Sequence, residues 1–410
     1  MHVVLLNQAF HPDVVATAQM GKDLADALVR RGHTVTAIAS RSIYGKKGAS
    51  LPKREDIPVA GGGVIHASRV GMSVFGKAGI AARIADFGLF YLLAMWRLLT
   101  LKKPDVVICY TTPPFIGLAG IVSRWLRGSK AVYWVMDLYP DLPVACGVMK
   151  ERGFATRFFE RVNRFVLRHS DVNIVLGRCM QERVIAKGTP EPRVRIIPVW
   201  ADLNGIEPVE HATNPLRTTW APNNEFLVMY SGNFGLGHDA QTIIGAMRTL
   251  KDDKAVRFIF IGGGKRRKEV EAAVKEFGLT NATFEDYRPR GELSQSLSAG
   301  DVHLISLKEG VEGIMVPSKM YGIMAVARPS LFVGHPTSEI ARVLDESGSG
   351  FTVREGDSAS LAAKILELKN DPARTRAMGE SGRRAIAGHY DSAAACGQWI
   401  EMLEQLVKKA

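Results

Sequence analysis

Short apolar runs alternate with longer amphipathic segments along most of the 410 residues. The runs are rich in Val, Ile and Leu and show little polar alternation, which is typical of strands buried on both faces of a parallel sheet. The segments between them place apolar residues three and four positions apart, as a helix does. The pattern therefore predicts an α/β protein. The predicted strands are Val3–Leu6, Thr34–Ala39, Val64–Val70, Asp105–Tyr110, Ala131–Val135, Val172–Leu176 and Val194–Val199, then Phe226–Tyr230, Val256–Ile261, Ala282–Glu285, Val302–Leu307, Ser330–Val333 and Phe351–Val353.

One polar, proline-bearing stretch, Ala201–Asn224, interrupts this alternation and predicts a linker. A chain of this length is too long for one core, so two similar parallel sheets in series are expected. We predict a first domain over residues 1–204 and a second over residues 205–390. The last helix, 391–410, is expected to cross back to the first domain. Arg41–Gly63 is polar and rich in glycine, which predicts a long loop.

The positive charge of the chain is concentrated in its first half. Residues 1–200 carry 28 Lys and Arg against 14 Asp and Glu, whereas the remainder carries 25 against 27. This asymmetry favours an anionic partner, such as acidic lipid, nucleic acid or a phosphate-bearing substrate, although a basic solubilising surface is also common. The four cysteines are scattered, which argues against a disulfide framework or a zinc site and for a reducing compartment. The first residues read as a strand rather than a signal peptide.

A strongly apolar helix is predicted over residues 78–101. Charged residues interrupt it, so it is too short and too charged to span a bilayer. Aromatic side chains flanked by basic ones suit a helix at a membrane interface, while a helix buried in the first domain is the alternative, and the two can coexist. The residues concerned are Phe87, Phe90, Tyr91 and Trp96, with Arg83, Arg97, Lys102 and Lys103 around them.

Three predicted strands of the second half end in loops that contain glycine and lead into helices: Gly232–His238, Gly262–Arg266 and Glu309–Lys319. The carboxyl edge of a parallel sheet is where α/β proteins bind ligands. Glycine lets the backbone approach a phosphate closely, and the following helix presents free N–H groups. Ser318 is the predicted N-cap of the last of these helices, and Lys319 adds a charge. The glycine order is not G-x-G-x-x-G, which disfavours a nicotinamide enzyme and leaves a nucleoside-diphosphate site as the prediction.

Several motifs resemble the retaining glycosyltransferases of family 4, which have the two-domain GT-B fold. The resemblance rests on YSGN-x-G, FIGGG-x-R, TFEDYRPRGELSQSLSAGDVHLISL and VPSKMYGIMAVARP in the second half, and on LADALVRRGHTV, KPDVVICYTTPP and VYWVMDLYPD in the first. PSK-x-YG and D-L-x-P are similar to bacterial aminodeoxysugar transferases of polysaccharide assembly. The resemblance implies two Rossmann-like domains with a cleft between them, a nucleotide-sugar donor with UDP favoured, a polyprenyl-linked or saccharide acceptor, and a retained anomeric configuration.

The resemblance also implies roles for individual residues. It places Tyr287 and Arg288 at the nucleotide base, and the first glycine loop and the Glu312–Lys319 loop around the diphosphate and the sugar. The family carries two glutamates seven residues apart, but the second position falls here on Gly322, which leaves Glu312 or Glu309 as the sugar-side candidate. The family's basic pair near the first loop is absent, and we hypothesise that Lys319 and His238 balance the phosphate charge instead. The predicted donor-site residues are Gly232, Asn233, His238, Gly263, Lys265, Tyr287, Arg288, Gly313, Ser318 and Lys319, with Glu312 as a catalytic candidate.

The second catalytic candidate is Asp137, which follows the apolar run VYWV. An acid at the carboxyl end of a strand can orient the acceptor or act as a general base. The resemblance places it where the family has a cleft-lining His or Asp, and a capping aspartate is the alternative. Asp141 and His11 are weaker candidates. No DxD-like pair lies in a suitable loop, so we expect neither a metal nor a cofactor.

Other functions stay open at this point. A nucleotide-sugar 2-epimerase would need more suitably placed carboxylates and histidines than the chain offers. A non-catalytic membrane-associated partner on a degenerate transferase fold is compatible with the missing glutamate. Nucleic-acid binding is disfavoured because the basic half has no recognition element. The expected location is the cytoplasm, with peripheral attachment to the cytoplasmic face of the inner membrane as an option.

Overall fold

The chain forms two units, which the computed structural model describes over residues 1–43, 50–71, 80–203 and 205–408, with residues 80–84 described through their backbone alone. By proximity of residues, the first unit comprises Met1–Val144, Met149–Pro198 and Ala393–Ala410, and the second comprises Ala145–Val148 and Val199–Ser392. The predicted domain boundary after residue 204 stays a prediction.

The first unit is built on an eight-stranded sheet. Its strands are β1 (His2–Leu6), β2 (Thr34–Ser40), β3 (Arg54–Pro58), β4 (Val64–Val70), β5 (Val106–Cys109), β6 (Lys130–Trp134), β7 (Val172–Val175) and β8 (Val194–Ile196). The spatial order is β3-β4-β2-β1-β5-β6-β7-β8, and every neighbouring pair is parallel except β3 with β4. The central strands are buried because helices cover both faces, as their uninterrupted apolar runs indicate. The helices are α1 (Ala16–Arg30), α2 (Ile80–Thr100), α3 (Gly117–Arg127), α4 (Asp141–Ala145), α5 (Phe154–His169) and α6 (Arg178–Ala186), and Glu191–Arg193 forms a short 3-10 helix.

The second unit is built on a six-stranded sheet that is parallel throughout. Its strands are β9 (Phe226–Ser231), β10 (Val256–Ile261), β11 (Ala282–Glu285), β12 (Val302–Ser306), β13 (Ser330–Val333) and β14 (Gly350–Val353). The order β11-β10-β9-β12-β13-β14 is that of a doubly wound Rossmann sheet, and its direction of winding reverses between β9 and β12. Ligands bind outside the carboxyl ends of the strands at such a reversal. The helices are α7 (Pro215–Trp220), α8 (Gln241–Thr249), α9 (Lys265–Glu276), α10 (Leu293–Ser298), α11 (Lys319–Ala325), α12 (Glu339–Ser347), α13 (Ser358–Asn370) and α14 (Pro372–His389), and His211–Thr213 and Arg290–Glu292 are 3-10 turns.

The last helix, α15 (Ser392–Lys408), packs within the first unit, as its predicted return requires. Trp399 is fully buried, and its ring centroid lies 4.5 Å from that of Trp134 at the end of β6. The carboxylate of Glu404 lies 3.1 Å from Nε2 of His33. The C-terminal segment therefore contributes to the core of the first unit.

Two sequence predictions about irregular segments were wrong. The predicted loop 41–63 contains the edge strand β3. Only Ile57 of this strand is buried, so its sequence shows no hydrophobic pattern. Residues 44–49 of the predicted loop lie outside the described residues. The predicted linker contains α7, which Asn214 caps by accepting from the N–H of Leu216 at 3.0 Å. Arg217 on this helix is buried and pairs with Asp301, so the segment belongs to the core of the second unit.

The apolar helix α2 lies largely within the first unit. Phe90 is buried and Phe87 half-buried, whereas Leu92 and Trp96 are exposed. The buried interpretation therefore holds for most of the helix, and an exposed apolar rim remains; the side chain of Arg83 lies outside the described residues. Across the described ranges, no helix combines the length and the apolar character that crossing a bilayer requires.

Candidate active site

The first two glycine loops of the second unit are joined through their backbones. Gly232 follows β9 with a φ of 119°, and its N–H donates to the carbonyl of Ile261 at 2.9 Å. The N–H of Phe234 donates to the carbonyl of Gly263 at 2.7 Å. At Gly264, whose φ is 122°, a Cβ would clash with the backbone of Phe234. Glycine is therefore required where the two loops meet, and the loops form one continuous backbone platform.

The loop after β11 joins the same platform. The N–H of Gly262 donates to the carbonyl of Glu285 at 3.0 Å, and the Arg267 guanidinium donates to the carbonyls of both residues. The ring of Tyr287 lies beside Gly262 and Gly263, so close that a Cβ on Gly263 would sit 3.4 Å from it. Tyr287 is 59% exposed. An exposed aromatic ring beside a glycine loop can stack on a nucleotide base, and the contact of Tyr287 with the base stays a prediction.

Arg288 is engaged by neighbouring side chains. Its Nη2 donates to a carboxylate oxygen of Glu285 at 2.9 Å, and its guanidinium lies 5.4 Å from the ring centroid of Trp220. These contacts hold the guanidinium close to the end of β11. Its predicted contact with the base stays a prediction.

Lys319, the first residue of α11, is the most unusual cation of the site. Its Nζ is buried beside Gly232, where a Cβ would lie 3.8 Å from it, and it stands 3.5 Å from the ring centroid of Tyr230. Among the described residues, Nζ finds no hydrogen-bond acceptor. Burial lowers the pKa of Lys319 well below its usual range. Since a cation–π contact compensates only part of the lost hydration, an anion at Gly232 would supply the missing partner.

His238 links the first glycine loop to the end of β12. It is 4% exposed, and its Nδ1–H donates to the carbonyl of Ser306 at the end of β12. Burial, followed by the charge of Lys319, lowers the pKa of His238 to about 3. In the absence of an anion the imidazole is therefore neutral at physiological pH, and its predicted part in balancing phosphate charge stays a prediction. Two hydrogen bonds fix the first glycine loop to the loop after β12: the one from His238 to Ser306, and the one from the Lys308 N–H to the Gly237 carbonyl at 2.9 Å.

The loop that carries Glu312 is anchored by buried apolar residues, Val311 and Ile314. A carboxylate oxygen of Glu312 accepts from the N–H of Gly310 at 3.1 Å, and the N–H of Glu309 donates to Glu355 at 2.6 Å. Gly313, with a φ of 67°, occupies the left-handed region that favours glycine, and it turns the chain toward α11. The fold thus brings the loop after β12 to the first glycine loop.

The predicted cap of α11 was wrong in its chemistry. Ser318 occupies the N-cap position, but its backbone is helical, with φ −63° and ψ −20°, and its side chain makes no capping hydrogen bond. An N-cap side chain reaches the helix N–H groups from an extended backbone, which Ser318 does not adopt.

At Gly322, where the family carries its second glutamate, a Cβ would lie 3.3 Å from Leu297. A larger side chain there would require Leu297 to move.

The remaining predicted residues of this edge are exposed. Asn233 is exposed after Gly232, and its carbonyl accepts from the hydroxyl of Tyr230 at 3.4 Å. Lys265 is exposed on the first turn of α9, whereas the neighbouring Arg266 is held by Glu269 at 2.8 Å. Lys265 is therefore free to swing toward a ligand.

Asp137 lies after β6 in the first unit. Its N–H donates to the hydroxyl of Thr111 at 3.3 Å, while no donor among the described residues reaches its carboxylate. Burial raises the pKa of Asp137 to about 6. The capping alternative is therefore unsupported, and a buried carboxyl with a raised pKa is typical of a functional site. Of the weaker candidates, Asp141 is paired with Lys187 at 2.9 Å and His11 is exposed.

Sequence reasoning missed Tyr230 and Arg267. Tyr230 supplies the aromatic face beneath the Lys319 ammonium, and Arg267 holds the ends of β10 and β11 together. The only signals were the aromatic residue that closes an apolar strand and the basic run after FIGGG. Within the described ranges, no three side chains of His, Cys, Asp or Glu are grouped as metal ligands would be.

Comparison with known proteins places both units in one class. Residues 17–200 match the family described as "Glycosyl transferase 4-like domain", and residues 225–371 match "Glycosyl transferases group 1". The chain is 31% identical over 268 residues to a probable glycosyltransferase, WbjE, of Pseudomonas aeruginosa; the match spans 65% of this chain and 66% of that protein. It is 22% identical to the putative colanic acid biosynthesis glycosyl transferase WcaI of Escherichia coli K12, over 84% of this chain and 86% of WcaI. Among solved structures, Anabaena HepE in complex with UDP-glucose superposes with a TM-score of 0.73 at 14% identity, over 99% of this chain and 100% of HepE.

Proposed function

The chain belongs to the group 1 glycosyltransferases of family 4, enzymes of the GT-B fold, and from this premise we propose its reaction. The protein transfers a sugar from a nucleoside diphosphate, UDP being favoured, to a lipid-linked or saccharide acceptor in cell-surface polysaccharide synthesis. The anomeric configuration is retained. The observation that carries the proposal is the buried Lys319 ammonium, which lies beside the Gly232 turn without an acceptor among the described residues.

Charge at the departing diphosphate explains the arrangement. As the bond to the sugar breaks, the diphosphate gains negative charge and the sugar ring becomes electron-poor. Lys319 offers its charge where the backbone of Gly232 allows a phosphate to approach, and Lys265 can add a second. A bound diphosphate restores the pKa of Lys319 toward its usual range, so the ammonium is fully charged when it is needed. Transfer is accordingly proposed to be independent of a metal ion or other cofactor.

The acceptor chemistry is assigned to Asp137 and the sugar contact to Glu312. A carboxyl with a pKa of about 6 is largely ionised at neutral pH, so Asp137 can accept the proton of the attacking hydroxyl. Glu312 is the carboxylate on the loop that follows β12 and turns back to the first glycine loop. We propose that Glu312 contacts the sugar. Gly313 and Ser318, which follow it in the same segment, are proposed to line the donor site.

The substrate classes rest on the relatives. HepE was solved with UDP-glucose, which supports a UDP-sugar as donor. WcaI is named as a putative glycosyl transferase of colanic acid biosynthesis, which supports a role in polysaccharide synthesis. The exposed ring of Tyr287 beside the second glycine loop offers a stacking surface for the base.

Calorimetric titration with UDP, GDP and ADP tests the donor site. UDP is expected to bind the wild type, and Lys319→Met, which keeps the apolar stem, is expected to weaken binding by about 10- to 100-fold, because a charge-assisted hydrogen bond is worth roughly 1.5–3 kcal/mol. Lys308→Met is the matched control and leaves the affinity unchanged. Equal affinity of the Lys319 variant and the wild type would remove the basis of the proposal.

A peripheral location on an anionic membrane is proposed for the same enzyme. Helices α2, α3 and α5 pack in sequence, α2 on α3 and α3 on α5, and each exposes large apolar side chains. Exposed arginines of α5 accompany them, and apolar groups ringed by cations suit the interface of an anionic bilayer. The exposed apolar residues are Leu92, Trp96, Trp125, Leu126, Phe154 and Phe158.

Vesicle sedimentation tests the membrane proposal. The wild type is expected to sediment with phosphatidylglycerol vesicles and to remain in solution with phosphatidylcholine vesicles. Trp96→Ser with Phe154→Ser lowers the bound fraction, whereas the matched control Phe277→Ser, an exposed residue of the second unit, does not. Sedimentation that is independent of lipid charge or of these residues would reject this surface.

A further inference from the structure

A polar groove crosses the first sheet near the amino ends of its strands, on the face that α2 covers. Its volume is about 360 Å³, within the range of small-molecule sites. The catalytic and donor residues discussed above follow the carboxyl ends of strands, so the groove is a separate feature. It is lined by His2, Thr34, Thr36, Arg54, Glu55, Asp56, His66, Ala67, Ser68, Arg97, Leu101 and Lys102.

Strand register explains why these polar side chains share one face. Directly paired residues on neighbouring strands point to the same side of a sheet. Thr36 on β2 pairs with His66 on β4, and His66 pairs in turn with Asp56 on β3. Ser68 pairs with Arg54 in the same way. Polar side chains thus replace apolar ones across adjacent strands of a sheet whose other positions are largely apolar.

Three cations border the groove: Arg54, Arg97 and Lys102. Among the described residues, none of them contacts a carboxylate, and Nε of Arg97 donates to the hydroxyl of Ser68 at 2.7 Å. Burial, and then the charge of Arg54, lowers the pKa of Arg97. Like charges held this close repel one another, and an anion between them would relieve the repulsion.

The carboxylates of the groove do not neutralise these cations. Asp56 accepts a hydrogen bond from His66 at 2.7 Å, and Glu55 is paired with Arg69. Both carboxylates are thus engaged by other cationic or imidazole groups. The lining of the groove carries three positive side chains against two negative ones, an excess of one positive charge, together with hydroxyl and imidazole groups that can bind oxygen atoms.

We propose that this groove is a second ligand site, which binds a phosphate monoester through Arg54, Arg97 and Lys102. Arg97 on α2 donates to Ser68, whose strand partner is Arg54 on β3, so both guanidiniums line the same part of the groove and are the proposed donors to a phosphate. The hydroxyls of Thr34 and Thr36 and the ring of His2 line the remaining volume, which is large enough for the sugar or glycerol that carries the phosphate. The site goes beyond the proposed transfer reaction and does not depend on it.

Histidine NMR on the full chain provides a local test. The chain labelled with ¹³C-histidine has ten imidazoles, and the signals of His2 and His66 are assigned with His2→Gln and His66→Gln. Inorganic phosphate is titrated against potassium chloride at equal ionic strength. The signals of His2 and His66 are expected to shift saturably with phosphate and not with chloride. Absence of a saturable shift overturns the proposal.

A matched pair of variants separates a built site from general charge. Arg54→Ala with Lys102→Ala is expected to weaken phosphate binding by about tenfold or more. Lys254→Ala with Arg384→Ala removes the same charge from exposed positions of the second unit and leaves the affinity unchanged. Unchanged signals of His238 and His303 show that each variant is folded. Equal weakening by both pairs, or by neither, overturns the proposal.

The same spectra distinguish this site from the donor site and identify the source of the phosphate. A shift confined to His238 would mean that phosphate binds only beside Lys319, which would support the donor site and reject the groove. Glucose 1-phosphate and vesicles containing phosphatidic acid then serve as separate probes. A response of His66 to either supports the site and identifies a soluble or a lipid monoester, and a response to neither rejects it.

Discussion

At the scale of single residues, the proposed chemistry rests on two ionisable groups that the fold desolvates. Lys319 has its pKa lowered and Asp137 has its pKa raised, in both cases because burial disfavours the charged form. Burying such groups costs folding stability, and strongly shifted pKa values cluster at functional sites. Burial likewise lowers the pKa of His238, and its hydrogen bond to Ser306 anchors the first glycine loop.

Replacing Asp137 by Asn should remove the base without removing the donor site. We expect kcat to fall by about 10²- to 10⁴-fold, the usual contribution of a general base, with unchanged affinity for UDP. In the wild type, kcat/KM should decline as the pH falls through about 6, because protonated Asp137 cannot accept a proton. The variant should lose this acid limb. A pH–rate profile of both proteins checks the prediction.

Stability distinguishes this role from a structural one. The raised pKa of Asp137 means that its carboxyl stabilises the folded chain most at low pH, where it is neutral, and that this contribution is lost as the pH rises through about 6. Asp137→Asn should therefore be at least as stable as the wild type at pH 7.5. The control Asp141→Asn should keep kcat within a few-fold. A loss of activity that follows a loss of stability would refute the catalytic role.

At the scale of elements, the glycine loops depend on backbone contact rather than on side chains. Gly264→Ala should destabilise the chain by roughly 1–3 kcal/mol, because its φ of 122° and the nearby Phe234 backbone both exclude a Cβ. It should also weaken UDP binding. Gly291→Ala, with open space around it, is the control and should have little effect. Urea unfolding of both variants checks this, and equal stability would contradict the assigned contact.

Sequence reasoning predicted the elements that have a strong apolar signal and missed the features that depend on burial or on long-range contacts. Most strands were predicted, because an apolar run such as VRFIFI identifies a buried strand from the sequence alone. The glycine loops that follow β9, β10 and β12 were predicted with them. The edge strand β3 was missed because only one of its side chains is buried, so it has no apolar run. Helix α7 was missed because it is held by an ion pair between Arg217 and Asp301, a residue distant in sequence. The neutral state of His238 was likewise invisible, because burial is a property of the fold.

At the scale of the whole molecule, the last helix returns the chain to the unit in which it began. Trp399→Ala should lower the free energy of unfolding by about 3–5 kcal/mol, because it removes a fully buried ring that packs on Trp134. The exposed neighbour Glu401→Ala is the control and should change it by less than about 0.5 kcal/mol. Denaturant unfolding provides the measurement, and similar midpoints for the two variants would contradict the packing of α15.

At this scale, the two halves of the chain are suited to anionic ligands in different ways. The basic first half carries the exposed apolar rim of α2, α3 and α5 and the cationic groove, which are both candidates for anionic ligands. The second half carries no excess of positive charge, and its proposed phosphate site consists of one buried lysine and glycine backbone. Global charge therefore says little about where the donor binds.

The most direct test of the central claim is hydrogen exchange of the full chain with and without UDP. A diphosphate seated at the carboxyl edge of the second sheet should slow exchange in three separate segments, 232–235, 262–266 and 312–321, while the strands of the first unit exchange as before. Protection confined to other segments, or no protection at UDP concentrations that saturate binding, would contradict the account.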